Sequence, residues 1–153
     1  MAKHFKFDPN WIGKETYQSN GRIALLQYNQ DFEVEAHLTV NMPEIPLEDD
    51  EVCIKNYSEN EGILDDLIKN GIVYKPHDFL EQGFVSIPVC RLLYEPIDML
   101  DLEVFLLYWE KAFRFITPTP LHVVTLRDIG ELMKGNDIEK AADLLRDKIL
   151  AEG

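Results

Sequence analysis

At 153 residues, 46% of them hydrophobic, the chain has the usual length of one domain and enough apolar side chains for a core, which excludes disorder as its default state. Its formal net charge of -13 predicts repulsion from DNA phosphates and anionic membrane surfaces, so we expect no direct binding to nucleic acid or to membranes. No stretch is apolar enough for a secretory signal or a membrane span, which predicts a cytoplasmic protein. Cys53 and Cys90 are then expected to be reduced core residues.

Residues 1–15 are predicted to form an irregular arm, because Pro9 and Gly13 interrupt any regular pattern. The aromatic residues expected to anchor this arm are Phe5, Phe7 and Trp11. The strands of the predicted core follow from residue 16.

The strand signals begin at the Asn20-Gly21 turn, which precedes the β-prone run Arg22–Tyr28. Residues Phe32–Asn41 alternate between apolar and polar, so one face of that strand should pack while the other faces water. The apolar face comprises Phe32, Val34, Ala36, Leu38 and Val40. An acidic, proline-bounded loop at Met42–Asp50 leads to a further strand at Glu51–Lys55.

A helix is predicted over residues 58–70, because Ser58 and Glu61 have the spacing of a capping box and Asn70-Gly71 favours a left-handed stop. Its apolar stripe comprises Ile63, Leu64, Leu67 and Ile68. A later strand at Gly83–Leu93 completes the predicted sheet. Since Pro88 cannot donate to a ladder, that strand is predicted to lie at an edge or to be bulged there.

The pattern becomes helical in the C-terminal part. Asp98 is predicted to cap a segment that runs to about Arg114 and is apolar on most sides. Its apolar residues are Met99, Leu102, Phe105, Leu106, Trp109 and Phe113. So broad a stripe implies burial on two sides, against the sheet or against another chain. A stiff linker, Thr117–Pro120, precedes two more helices, Thr125–Lys134 and one that begins at Asn136.

Together these elements predict an α+β fold. A mainly antiparallel sheet with one capped helix packed on it occupies residues 16–93, and a helical part occupies residues 94–153. We expect the two parts to pack as one domain.

No local motif for catalysis, a metal or a cofactor occurs in the sequence. Glu33, Glu35 and His37 share a strand face, but a solvated polar face is the ordinary meaning of this spacing. Cys90 precedes Arg91, which could lower its pKa, yet a strand cysteine more often packs. We therefore expect no cofactor and no metal, and a small enzyme with a site assembled by the fold stays open as an alternative.

The acidic residues are concentrated in one segment. Between Asn41 and Asp66, nine acidic residues stand against one basic residue, Lys55. Such a segment can steer a basic protein partner or imitate the phosphate rows of a duplex, although a solvated surface is its commoner meaning. The candidate interaction residues are Glu48, Asp49, Asp50, Glu51 and Tyr57, with Phe105, Leu106, Trp109 and Phe113 as apolar anchors.

Four segments carry a family resemblance: Asn20–Leu25, Leu38–Pro43, Ile54–Leu64 and Ile87–Leu92. The run Lys-Asn-Tyr-Ser-Glu-Asn-Glu-Gly within the third segment is the specific part. On these segments, residues 20–93 resemble an uncharacterised bacterial family associated with conjugative plasmids, transposons and phage-related elements. The resemblance implies a genetic setting in which small acidic accessory proteins act on host defence or element transfer, and it brings no known active site.

The sequence thus predicts a non-enzymatic, acidic protein-interaction module of a bacterial mobile element. The expected partner is a protein, with a basic nucleic-acid-binding protein as the candidate, and a homodimer is left open. One alternative is a nucleic-acid mimic that inhibits a host restriction or CRISPR-type nuclease. The other is the small enzyme with a fold-assembled site.

Overall fold

The computed structural model describes residues 7–113 and 124–152, and within these ranges the chain forms the predicted α+β fold. The strands are β1 (Ile12–Thr16), β2 (Ile23–Tyr28), β3 (Val34–His37), β4 (Glu51–Cys53), β5 (Asp78–Gln82), β6 (Val85–Arg91) and β7 (Ile97–Asp98). The helices are α1 (Ile63–Lys69), α2 (Met99–Ala112), α3 (Leu126–Met133) and α4 (Ile138–Glu152). Two predicted features, the anchor Phe5 and the linker Thr117–Pro120, lie outside the described residues.

The strands form two sheets where the sequence predicted one. Four strands lie in the order β3-β2-β1-β7, and three lie in the order β4-β6-β5. Neighbouring strands are antiparallel except β1 and β7, which run parallel. In the larger sheet β7 lies beside β1, and in the smaller sheet β4 pairs with β6. An isolated bridge between Thr39 and Ile54 joins the chain just past β3 to the chain just past β4.

The prediction of an irregular arm through residue 15 is wrong, since β1 begins at Ile12. Pro9 lies in a short 3-10 helix, Pro9–Trp11, where its fixed φ suits the first position. Gly13 is buried within β1, and a Cβ atom at this position would lie 2.7 Å from the sulfur atom of Met99. Neither residue therefore interrupts the strand, and Gly13 lies where β1 approaches Met99 of α2. The Asn20-Gly21 turn between β1 and β2 is confirmed, with Gly21 at a φ of +70°.

The strand predicted at Phe32–Asn41 is shorter and less regularly buried than its pattern suggested. Ala36 and Leu38 are buried as expected, but Val34 is 46% exposed. The pairing of β2 with β3 shifts register at Tyr28, beside Val34, so the alternation does not carry through the whole segment.

Helix α1 begins five residues later than predicted, and the Ser58–Glu61 capping box is wrong. Ser58 has a φ of +57° in a 3-10 helix that precedes α1, and its side chain does not cap it. The Oδ1 atom of Asn56 caps α1 instead, accepting hydrogen bonds from the backbone nitrogens of Gly62 at 3.1 Å and Leu64 at 3.0 Å. The 3-10 turn brings these donors within reach of a side chain that sequence spacing does not associate with the helix.

We expect the substitution Asn56→Ala to lower the free energy of unfolding by about 1 kcal/mol, because it leaves two helix-entrance donors without their acceptor. Ser58→Ala is the matched control and should change that free energy by less than about 0.5 kcal/mol. Urea unfolding followed by circular dichroism measures both. A larger loss for Ser58→Ala than for Asn56→Ala would restore the predicted capping box.

Strand β6 is the middle strand of the smaller sheet, so the predicted edge or bulge at Pro88 is also wrong. Pro88 pairs in continuous register with Phe79 of β5. Its carbonyl oxygen accepts a 2.9 Å hydrogen bond from the nitrogen of Ile54, just past the end of β4. The missing N–H of Pro88 thus falls where the ladder to β4 ends, which is why a middle strand tolerates it.

The C-terminal helices follow their local signals closely. The carboxylate of Asp98 accepts a 2.8 Å hydrogen bond from the nitrogen of Leu100, which confirms it as the cap of α2. Thr125 and Asp128 form a reciprocal capping box at α3, and Gly135, with a φ of +68°, follows that helix. None of the helices in residues 7–113 and 124–152 is long and apolar enough to cross a membrane.

Buried side chains form three clusters, which we name for their positions. The helical core contains Trp11, Leu26, Tyr28, Ile97, Leu102, Phe105, Trp109, Leu126, Ile129 and Leu145. The central core contains Ile12, Leu25, Leu38, Ile54, Ile63, Leu67, Ile72 and Cys90. The small-sheet core contains Met42, Cys53, Ile87 and Val89. Cys53 and Cys90 are free and buried, as the sequence predicted.

Candidate interaction surfaces

The acidic loop, residues 43–51, is held on the fold at its N-terminal end by the guanidinium group of Arg22. Arg22 donates hydrogen bonds from Nη1 to the carbonyl oxygen of Met42 at 2.7 Å and from Nη2 to that of Ile45 at 2.5 Å. The side chains of Ile45 and Leu47 pack against the small-sheet core. The loop is therefore held both by hydrogen bonds to its backbone and by the packing of its apolar side chains, and its carboxylates project from this fixed backbone.

Two of the four acids predicted for binding are occupied within the chain. Glu51 accepts a 2.7 Å hydrogen bond from the nitrogen of Glu48 through Oε1 and meets Nε2 of His77 through Oε2, with its side chain only 11% exposed. Asp50 pairs with Nη1 of Arg91 at 2.7 Å, where both side chains are about half exposed. Glu51 therefore stabilises the loop, and Asp50 links the loop to Arg91 at the end of β6.

The remaining acids of the loop are available. Glu44, Glu48 and Asp49 are exposed, and none of their carboxylates forms an ion pair within the part of the chain that the structure describes. Tyr57 packs against the same small-sheet core that supports the loop, with Nζ of Lys55 5.9 Å from its ring centroid. Tyr57 and the acidic loop are thus supported by the same buried cluster.

The surroundings of Glu51 lower the pKa of its carboxyl group. The largest cause is the hydrogen bond from the Glu48 backbone, and His77 and Arg91 act in the same direction against a smaller opposing effect of burial. A depressed pKa means that the ionised form stabilises the folded state above the ordinary value of 4.5, and that this stability is lost as the pH falls through the lower folded value.

We expect Glu51→Gln to lower the free energy of unfolding at pH 7 by about 1 kcal/mol, because a neutral amide accepts the hydrogen bond from Glu48 more weakly than a carboxylate does. Partial solvation of the site limits the loss. The difference from the wild type should shrink as the pH falls below 4.5. Urea unfolding across pH 3–7 measures it, with Glu48→Gln as the control. A difference that stays constant over this pH range would exclude ionised Glu51 as its source.

Two of the four predicted apolar anchors are buried and two are partly buried. Phe105 is fully buried and Trp109 is 5% exposed, while Leu106 and Phe113 pack partly buried against the same helical core. The ring of Trp109 lies 6.3 Å from that of Phe105 and 4.8 Å from that of Phe113, measured between centroids. The prediction of an exposed surface is therefore wrong for Phe105 and Trp109. The acidic loop packs on a different cluster, so the structure does not bring the two predicted halves of the site together.

The solvent side of α2 carries a second apolar row that the sequence analysis missed. Leu100, Val104 and Leu107 are 68%, 51% and 55% exposed. Their spacing of four and then three residues places them on one side of the helix, and this spacing was the signal available in the sequence.

A cleft of about 450 Å³ lies beside the first turns of α2. Its apolar wall is formed by Pro96, Ile97, Val104, Met133 and Ile138. Its charged rim includes Lys14, which pairs with Glu95 at 2.6 Å, and the exposed Asp101.

No activated nucleophile or metal-binding cluster is seen in the described residues. Burial and the nearby Cys53 raise the pKa of Cys90 to about 12, so Arg91 does not activate this thiol. Glu33, Glu35 and His37 are exposed at β3, and no group of three or more His, Cys, Asp or Glu residues within ranges 7–113 and 124–152 is placed to hold a metal ion.

Comparisons with protein-family models, with curated proteins and with solved structures find no match to this chain. The resemblance of residues 20–93 to a mobile-element family stays a prediction. The chain's own geometry, described above, carries the functional argument.

Proposed function

We propose that this protein is a non-enzymatic interaction module that binds a basic protein through its acidic loop. The observation that carries the proposal is the combination of an anchored backbone with free carboxylates. Arg22 holds the loop at two carbonyl oxygens, while Glu44, Glu48 and Asp49 remain exposed and unpaired among the described residues. A surface that is already ordered loses little conformational entropy when a partner binds.

Charge supports a basic partner. The net charge of -13 attracts basic proteins over a distance of about 10 Å at 0.1 M salt, and the loop concentrates part of that charge. Tyr57 packs on the same cluster as the loop and supplies an amphipathic ring of the kind enriched at binding hot spots. The genetic setting that we propose, a bacterial mobile element, rests on the resemblance of residues 20–93.

The test compares three forms of the protein as bait in bacterial lysate treated with nuclease. The loop variant carries Glu44→Gln, Glu48→Gln and Asp49→Asn. The control variant carries Glu33→Gln, Glu35→Gln and Glu81→Gln, which make the same change in net charge at exposed positions outside the loop. We expect the wild type and the control to retain the same basic protein, and the loop variant to retain about tenfold less of it.

Equal capture by all three forms, or no capture by the wild type at low salt, would contradict the proposal. Raising the salt toward 1 M should release the partner, because the Debye length then falls to about 3 Å. Duplex DNA added as a competitor separates the nucleic-acid mimic from a general interaction module. Displacement by DNA would place the loop in the partner's nucleic-acid channel.

A further inference from the structure

The second apolar row of α2 is a feature that the acidic loop does not explain. Leu100, Val104 and Leu107 lie on the opposite side of the helix from the buried Leu102 and Phe105. Single exposed apolar residues are normal on protein surfaces, but a row of three along one helix face is typical of a surface that another element covers.

The row opens onto the cleft beside α2. Val104 belongs to the apolar row and also lines the cleft, together with Met133 and Ile138. A volume of about 450 Å³ is sufficient to receive a large apolar side chain from a partner. The row and the cleft together form a groove with a pocket, which suits an element that presents one deep anchor and several shallower contacts.

Acidic residues surround this groove. Asp101, Glu103 and Glu110 are exposed on α2 itself. Tyr108 packs partly buried on the helical core, and its pKa is raised by loss of solvent and then by the nearby Glu139, Asp143 and Asp137 of the α4 region. The basic residues nearby are largely engaged, since Lys14 pairs with Glu95 and Lys134 with Glu131. Lys111 and Lys140 are also exposed, but they are fewer than the acidic residues named here, so the rim is acidic on balance.

The excess of acid argues against a second copy of this chain as the occupant. Two copies would bring the same acidic rims together, each on a chain with a net charge of -13, and like charges placed opposite each other are unfavourable. The complementary element has apolar residues along one face and basic residues on either side. We propose that this face of α2 binds a basic amphipathic helix of a partner protein.

The geometry of this binding follows from helix packing. The bound helix places apolar residues at positions i, i+3 or i+4, and i+7 against Leu100, Val104 and Leu107, with one of them in the cleft. Its Lys and Arg residues face Asp101, Glu103 and Glu110 at the rim, where they raise the association rate. The groove lies at the helical core, whereas the acidic loop lies at the small-sheet core, so different parts of the fold support the two surfaces.

The test measures binding of a labelled synthetic helix to the full chain by fluorescence anisotropy. The probe is a peptide of about 18 residues with leucines along one face and lysines on both sides, long enough to form a helix when bound. A peptide of the same composition in scrambled order is the control for charge alone. The groove variant carries Leu100→Ser, Val104→Ser and Leu107→Ser, and the control variant carries Leu144→Ser and Leu150→Ser, which alter exposed apolar residues of α4.

We expect the amphipathic peptide to bind the wild type and the α4 control equally, and the groove variant at least about tenfold more weakly. The scrambled peptide should bind all three forms equally weakly. Equal binding of the amphipathic peptide to the groove variant, or equal binding of both peptides to the wild type, would overturn the proposal. A wild-type dimer that the groove substitutions dissociate in sedimentation equilibrium would also overturn it, because the occupant would then be a second copy.

Discussion

Replacing Phe105 by alanine is expected to lower the free energy of unfolding by about 3–5 kcal/mol. The side chain is fully buried in the helical core, and its ring stacks on that of Trp109 at 6.3 Å. The core around it includes Trp11 and Leu26 from the N-terminal part of the chain, so a cavity there weakens the contact between α2 and the larger sheet. Urea unfolding monitored by Trp fluorescence and circular dichroism measures the loss.

Leu107 is the matched control, because it lies two residues further along the same helix and is 55% exposed. Leu107→Ala should change the free energy of unfolding by less than about 0.5 kcal/mol, since alanine is also a strong helix former. The sequence assigned Phe105 to binding, and the structure assigns it to stability. Comparable losses in both variants, or a Phe105→Ala protein as stable as the wild type, would mean that the buried face of α2 is misplaced.

The features predicted correctly from sequence are those set by neighbours along the chain. Asp98 caps α2 because its carboxylate reaches an amide two residues away. Helix α3 begins at Leu126, next to its predicted start at Thr125, and Gly21 makes its turn through its own backbone freedom. Each of these contacts is fixed by local spacing, so the printed sequence contains all that is needed to place it.

The features that were missed depend on contacts between distant parts of the chain. The pattern of residues 16–93 could not show that β7 would pair with β1 and leave β4 to form a second sheet. The acids of the loop looked alike in sequence, yet Glu51 pairs with His77 and Asp50 pairs with Arg91, whereas the carboxylate of Glu48 forms no ion pair among the described residues. The apolar stripe predicted for α2 does face the helical core, but the sequence analysis assigned its aromatic residues to binding and missed the exposed row on the opposite side.

The anchoring of the acidic loop gives the second large effect that we expect. Arg22→Met keeps much of the apolar stem and removes both hydrogen bonds to the carbonyl oxygens of Met42 and Ile45. Hydrogen bonds from a charged donor contribute about 1.5–3 kcal/mol each, and water can replace part of them at this partly buried site. We therefore expect the free energy of unfolding to fall by about 2–3 kcal/mol, measured by urea unfolding.

The same substitution should release the loop before the rest of the chain unfolds, because Arg22 is what ties its backbone to β2. A Glu-specific protease can cleave after Glu44 and Glu48, and we expect it to do so at least about tenfold faster in Arg22→Met than in the wild type. Arg91→Met removes only the half-exposed pair with Asp50, so its effect on stability should stay below about 1 kcal/mol. If Arg91→Met accelerates loop cleavage as much as Arg22→Met, the pair with Asp50 anchors the loop as strongly as Arg22 does. If Arg22→Met does not accelerate cleavage at all, Arg22 has no part in ordering the exposed carboxylates.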